Sequence, residues 1–214
     1  VYFESGDYDN AGRCFEEGLK ICNELGNKHL MSIALGSLGR VYERKGDYDK
    51  AMQLFEEDLE ITEELGDKQG KAIANGLIGE LKGIQGYFEE ALQYMEQNLQ
   101  LSKEIGYQKG VAKALNILGD LYYATEDFHN AIKYYEEAIA ITKEIKQPLV
   151  LASSLIEKGL AEIMINKTKE AKKSLLEGSQ ITVDLGNPDV VFQSRILEAH
   201  VLAKSNQQEE VENI

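Results

Sequence analysis

The chain has 214 residues, 43% of them hydrophobic and 28% charged, and carries a net charge of −14 from 23 basic and 37 acidic side chains. This is the composition of a globular chain rather than a disordered one, and without clustered Lys and Arg to neutralise phosphates it argues against a nucleic-acid or anionic-membrane partner. No apolar run approaches the ~20 residues that cross a bilayer, and no signal peptide is visible at the start, where VYFESGDYDNA, lacking Met, reads as the end of a helix cut from a longer protein.

The chain repeats itself every forty residues. GDYDNAGRCFEEGLKICNELGNK begins at Gly6, GDYDKAMQLFEEDLEITEELGDK at Gly46 and GYFEEALQYMEQNLQLSKEIGYQ at Gly86. Ala11, Ala51, Ala91, Ala131 and Ala171 form one ladder; Gly39, Gly79, Gly119 and Gly159, followed by Ala199, form a second. Leu25-Gly26, Leu65-Gly66, Ile105-Gly106 and Leu185-Gly186 form a third, from which only Ile145-Lys146 departs. No insertion breaks the register, so one domain without a linker is expected over residues 1–214.

In chain order, residues 1–27 are a partial repeat ending in one helix. Its Cys14 and Cys22 lie ~12 Å apart at 1.5 Å per residue, beyond disulfide reach. Two free thiols favour a reducing compartment, hence a cytoplasmic location. Full repeats follow at residues 28–67, 68–107, 108–147 and 148–187, each read as two helices. In the first, Leu35, Leu38, Gly39 and Tyr42 give one apolar or small face. Gly46 suits a left-handed C-terminal cap and Asp47 the next N-cap. The second helix buries Ala51, Leu54, Phe55, Leu59 and Ile61. Gly39 and Ala51 are expected where the paired helices cross, with Tyr42 and Phe55 filling the space around them. Gly79, Ala91, Gly119, Tyr122, Ala131, Gly159 and Ala171 hold the corresponding structural places. Asn187-Pro188 fits an N-cap and first helical position, opening a terminal helix from residue 188 that ends in the polar tail SNQQEEVENI. Neither helix of a unit can bury its stripe alone, so neighbouring units must stack.

Leu38-Gly39, Tyr42, Ala51 and Phe55, and again Leu118-Gly119, Tyr122, Ala131, Tyr135 and Ala138, resemble the pattern of tetratricopeptide repeats. The resemblance implies an all-α fold, a right-handed superhelical solenoid of antiparallel helix pairs. Its first helices would line a concave groove that holds a peptide or partner helix. The forty-residue spacing is similar to a subset that includes kinesin light chains, spindle-orientation adaptors, maltose-regulon-type activators and bacterial sensor regions.

On this pattern the groove face carries Ile33, Gly36, Arg40 and Arg44 in the first full repeat, and Ile73, Gly76, Glu80 and Gly83 in the second. It carries Lys113, Asn116, Asp120 and Tyr123 in the third, and Ser153, Ile156, Leu160 and Ile163 in the fourth. Gln193, Ile196 and His200 follow on the last helix. Gly36 and Gly76 each cost a helix interior ~1 kcal/mol relative to Ala. Either they keep the groove floor low for a partner backbone, or neighbours hold a weak helix. The mixed charges around Asn116 suit an extended peptide, or else satisfy one another across adjacent helices. The Lys and Asn clamp by which some members of the family grip a C-terminal carboxylate is not expected, because Gly36 and Gly76 occupy two of its places. Ile156, Leu160, Ile163 and Met164 form an apolar stripe while Lys158 and Glu162 stand where Leu118 and Tyr122 stood one repeat earlier. A rotated helix with the stripe as core is the simpler reading; an exposed binding patch is the other.

Chemistry is not expected. His29, His129 and His200 are scattered, so neither metal nor cofactor is foreseen. No phosphate loop or nucleophile elbow is present. Runs such as Glu56-Glu57-Asp58 and Glu136-Glu137 are placed on solvated helix faces, and no buried acid–base pair can be nominated. The expected role is a non-enzymatic scaffold binding a protein or peptide. A regulatory module of a larger signalling protein or transcription factor, and self-association through a solenoid end, are the alternatives.

Overall fold

The computed structural model describes Phe3 and residues 6–185. Among these residues there are nine helices and no strand: α1 (Tyr8–Glu24), α2 (Lys28–Arg44), α3 (Tyr48–Leu65), α4 (Lys68–Ile84), α5 (Phe88–Glu104), α6 (Gln108–Ala124), α7 (Phe128–Glu144), α8 (Pro148–Met164) and α9 (Thr168–Leu185). The joint expected at Asn187-Pro188, the terminal helix and the tail lie outside the described residues. None of the described helices is long and apolar enough to cross a membrane.

The helix ends follow from side-chain chemistry. Asp7, Asn27, Asp47, Asp67 and Asp127 each accept a hydrogen bond from the backbone N–H three residues on. Each satisfies an amide that the helix itself leaves without an acceptor. Gly46 (φ 79°) and Gly66 (φ 63°) close the preceding helices in the left-handed region, where a Cβ would be strained. The closing bonds have the Schellman pattern, with Asp47 N–H donating to the Tyr42 carbonyl at 2.9 Å. Later turns abandon glycine: Glu126, Lys146 and Asn166 hold φ of 63°, 54° and 61°. Pro148 stands in the first turn of α8, where its missing N–H costs nothing.

The chain forms two compact units that part between Gly110 and Val111. In the first, α2 pairs with α3 and α4 with α5, while α1 packs on α2 and α3 on α4. Phe55 is fully buried among Ala51, Leu77, Ile78 and Leu81, and Leu35, Leu38, Leu54 and Ile61 form an adjoining cluster. Side chains such as these contribute about 1.5–3 kcal/mol each on burial. In the second unit α8 pairs with α9 and packs on α7, and Ala131, Ile132, Tyr135 and Ala161 form a core cluster.

Small residues set the helix crossings. A Cβ on Gly39 would lie 2.6 Å from Phe55 Cδ1, one on Gly119 2.6 Å from Tyr135 Cδ1, one on Gly79 2.8 Å from Met95 Cε, and one on Gly159 2.6 Å from Leu175 Cγ. Ala51, Ala91, Ala131 and Ala171 are completely buried. Tyr42 packs at the edge of the Phe55 cluster and donates its hydroxyl to Glu16 Oε1 at 3.0 Å. Tyr122 stacks on Tyr134 with ring centroids 5.3 Å apart.

Candidate functional site

Gly36 and Gly76 have the same local cause, which is the side chain opposite. A Cβ on Gly36 would lie 3.1 Å from Asp58 Oδ2, and one on Gly76 would overlap the Asn98 amide. Asp58 and Asn98 are forty residues apart on the second helices of adjacent repeats, and both are buried. In the last described pair the bulk changes sides: a Cβ on Gly178 of α9 would lie 2.9 Å from Ile156 Cγ1 of α8. The glycines accommodate polar side chains of their own repeat.

Asp58 corrects the placing of Glu56-Glu57-Asp58 on a solvated face, because it is only 4% exposed. Its carboxylate accepts a hydrogen bond from Ser32 Oγ. Burial pushes the Asp58 carboxyl up to about 6; the Ser32 bond opposes that shift and the Asp67 charge adds to it.

Asp58 and Ser32 form one wall of a cavity of about 460 Å³ between α2 and α4. Ile33, Gly36 and Arg40 line it from α2, and Ile73 and Leu77 from α4. Ile33 is 54% and Ile73 43% exposed. His29 Nδ1 stands at one end, 3.5 Å from Asp67 Oδ2, and Asp67 is also the cap of α4, accepting from Gly70 N–H at 2.9 Å. Arg40 stands at the other end. Its Nε is buried with no hydrogen-bond partner. An unmet buried donor costs ~1–3 kcal/mol. Arg44 is exposed one turn further along α2. On α4, Glu80 and Gly83 are half-buried.

The second unit holds a polar cluster between α6 and α8. Asn116 Nδ2 donates to Glu157 Oε2 at 2.7 Å, Ser154 Oγ donates to Asn116 Oδ1 at 2.5 Å, and Tyr135 donates its hydroxyl to Asp120 Oδ1 at 2.8 Å. Asp120 and Glu157 are themselves hydrogen-bonded, and burial first, then the Asp120 charge, pushes the Glu157 carboxyl up to about 8. Burial and the same two carboxylates raise the Tyr135 phenol. The sequence reading nominated no buried carboxyl pair; this is one, in which one proton joins two acids. Lys113, on the same helix face, is exposed, and Tyr123 packs edge-on against Phe128, centroids 5.4 Å apart.

α8 is not rotated. Gly159 faces Leu175 and the Ala171 carbonyl, so the helix keeps the register of its predecessors. Glu162 is consequently buried at 3% exposure. It accepts from Ser174 Oγ at 2.9 Å and pairs with Lys158 Nζ at 2.9 Å. Glu136 also reaches Lys158, at 3.4 Å. Ile156, Leu160 and Ile163 are half-buried and Met164 is exposed. Ser153 Oγ donates back to the Leu149 carbonyl. Gln193, Ile196 and His200 lie outside the described residues. Cys14 and Cys22 are free thiols, and among the described residues no group of His, Cys, Asp and Glu could hold a metal ion.

The sequence reading missed Ser32, Asp58, Ser154 and Glu157. A signal existed in the repeat columns. The Asp58 column continues as Asn98, Ala138 and Gly178, and the Glu157 column holds Ser37, Leu77 and Ile117 in earlier repeats, so a carboxylate there stands where the two preceding repeats are apolar and none is charged.

The fold has solved relatives. Over 94% of this chain and 31% of the other, it is similar to a signal transduction ATPase with numerous domains and a tetratricopeptide repeat sensor from Pyrococcus horikoshii, with a TM-score of 0.76 and 18% identity. Similarity to BtubC (BKLC) from P. vanneervenii covers 87% of this chain and 77% of that one, at TM-score 0.74 and 23% identity. A Rap protein complexed with competence and sporulation factor matches 85% of this chain and 51% of its own, at TM-score 0.72 and 13% identity. A sequence comparison with curated proteins gave no match. The tetratricopeptide repeat family model matches residues 1–64 and 70–144, more than half the chain, over the same helix pairs whose crossings Gly39, Gly79 and Gly119 set; the chain belongs to the tetratricopeptide repeat family.

Proposed function

We propose that this chain is a protein-interaction scaffold whose first helices hold a protein segment, with Ile33, Gly36 and Arg40 as the principal contacts. The observation that supports this is the cavity between α2 and α4, whose lining two exposed isoleucines share with a guanidinium that has an unmet buried N–H. Apolar surface beside a few placed polar groups is the usual make-up of a binding cleft. Affinity capture from a lysate tests it, comparing the wild type with Ile33→Glu/Ile73→Glu. Loss of specific partners in a variant of unchanged helicity and melting is the expected result; partners held equally by both would place binding elsewhere.

A second reading is a sensor module within a larger signalling protein. It is favoured by the likeness to the Pyrococcus horikoshii protein, whose tetratricopeptide repeats are described as a sensor. Both readings use the same helix face, and they differ in whether occupancy changes an attached effector.

A further inference from the structure

We infer that the cavity between α2 and α4 selects a partner segment carrying an acidic side chain two residues from an aliphatic one, with Arg40 as the counter-ion of the acid. The inference rests on the reading above that this face binds a protein segment.

Arg40 is unusual in its surroundings. Lys45 pairs with Asp9 at 2.7 Å, Lys71 with Glu63 at 2.7 Å, and Lys82 with Glu90 at 2.8 Å. In a chain with 37 acidic side chains against 23 basic ones, a carboxylate is rarely far away. Yet Arg40 makes no ion pair among the described residues, and its Nε is buried without an acceptor. The carboxylates that share the cavity are already engaged: Asp58 accepts from Ser32, and Asp67 accepts from Gly70 N–H and faces His29. A guanidinium offers a planar fork that a carboxylate satisfies at two points. The missing acceptor therefore has the chemistry of an Asp or Glu from outside.

Position sets the order of the segment. His29, Ile33, Gly36 and Arg40 share one face of α2 and line the cavity together. At 1.5 Å per residue they span ~16 Å, with Arg40 ~6 Å beyond Gly36. Ile33, Ile73 and Leu77 make the middle of the cavity aliphatic, and the Asp58 carboxyl beside Gly36 disfavours a second acid there. In an extended strand, side chains on the same side recur every second residue at ~6.6 Å. An aliphatic side chain over Gly36 thus puts the acid two positions along at Arg40.

The test is selection from a library of random nonapeptides with acetylated and amidated ends, which removes terminal charges as a source of the acid. The wild type is expected to enrich Asp or Glu two positions from Leu, Ile or Val. Arg40→Gln is expected to lose that preference at least tenfold, and Arg40→Glu to turn it toward Lys and Arg. Binding without an acidic preference, or the same acidic peptides retained by both variants, would overturn this inference and leave the scaffold reading standing. Failure of the wild type to retain any peptide, or retention undisturbed by Ile33→Glu/Ile73→Glu, would overturn the binding-face reading and this inference with it. Melting temperature and helicity of each variant separate lost recognition from lost fold.

Discussion

Asn116 on α6 and Glu157 on α8, forty-one residues apart, are joined by a 2.7 Å hydrogen bond from amide Nδ2 to carboxylate Oε2. Glu157 also shares a hydrogen bond with Asp120, and burial followed by that neighbour's charge pushes its carboxyl up to about 8. The folded state therefore holds a proton that the unfolded chain, with an ordinary Glu, releases at about 4.5. This contribution to stability is complete below that value and is lost as the pH rises through about 8. Glu157→Gln keeps a donor for Asp120 and an acceptor for Asn116 without a charge. Denaturant unfolding at pH 5 and pH 9 is expected to show a wild type that loses on the order of 1–3 kcal/mol across the interval and a variant that loses much less.

Asp58 behaves in the same direction at lower pH. Its carboxyl is raised from 3.8 to about 6, chiefly by burial. Stability from this group is present below about 4 and disappears as the pH rises through about 6. Asp58→Asn is expected to remove that step from a plot of melting temperature against pH. Ser32→Ala, which withdraws the hydroxyl that donates to the carboxylate, is expected to destabilise by about 1–2 kcal/mol at pH 7.

Gly39 and Phe55 are predicted to be energetically coupled. A Cβ at position 39 would lie 2.6 Å from Phe55 Cδ1. Gly39→Ala should cost about 1–3 kcal/mol through overpacking, although alanine is the better helix former. Phe55→Leu should cost less in the Gly39→Ala background than alone. A double-mutant cycle by chemical denaturation measures the difference.

Lys146 holds φ at 54° and Glu126 at 63° in turns whose counterparts elsewhere are Gly46, Gly66, Gly86 and Gly106. L-residues pay ~1–2 kcal/mol in the left-handed region, partly offset in a glycine variant by greater freedom when unfolded. Lys146→Gly and Glu126→Gly are each expected to raise stability by about 0.5–1 kcal/mol, read as a higher denaturation midpoint with an unchanged slope.

The helices and their joints were legible because they depend on local chemistry repeated at a fixed interval. Gly46 and Asp47 announce a stop and a cap from their own conformational preferences, and the Gly39 and Ala51 ladders announce crossings. The buried polar groups were not legible in the same way. Asp58 sits in the run Glu56-Glu57-Asp58, which looks solvated when read along the chain, and only comparison with Asn98, Ala138 and Gly178 marks it as an inward position. Glu162 was misread because a charged residue in a core column suggested a turned helix; Lys158 and Ser174 instead satisfy it where it stands, and Glu136 reaches the same lysine. The candidate cavity was half legible. Ile33, Gly36 and Arg40 follow from helix phase, whereas the unmet Nε of Arg40 depends on what every neighbouring side chain does, which no periodicity reveals.

The exchange of bulk between paired helices has a consequence for how a repetitive chain finds its fold. Gly36 receives Asp58 and Gly76 receives Asn98, whereas Ile156 stands over Gly178. A first helix from the last of these units docked on the second helix of the first would press an isoleucine onto a buried carboxylate. The reverse pairing would leave two glycines facing a void. Sequences this alike invite helices to pair with the wrong neighbour while folding. The reversal of large and small at one position works as an address, written in volume, that keeps the last pair of helices from exchanging partners with the first two.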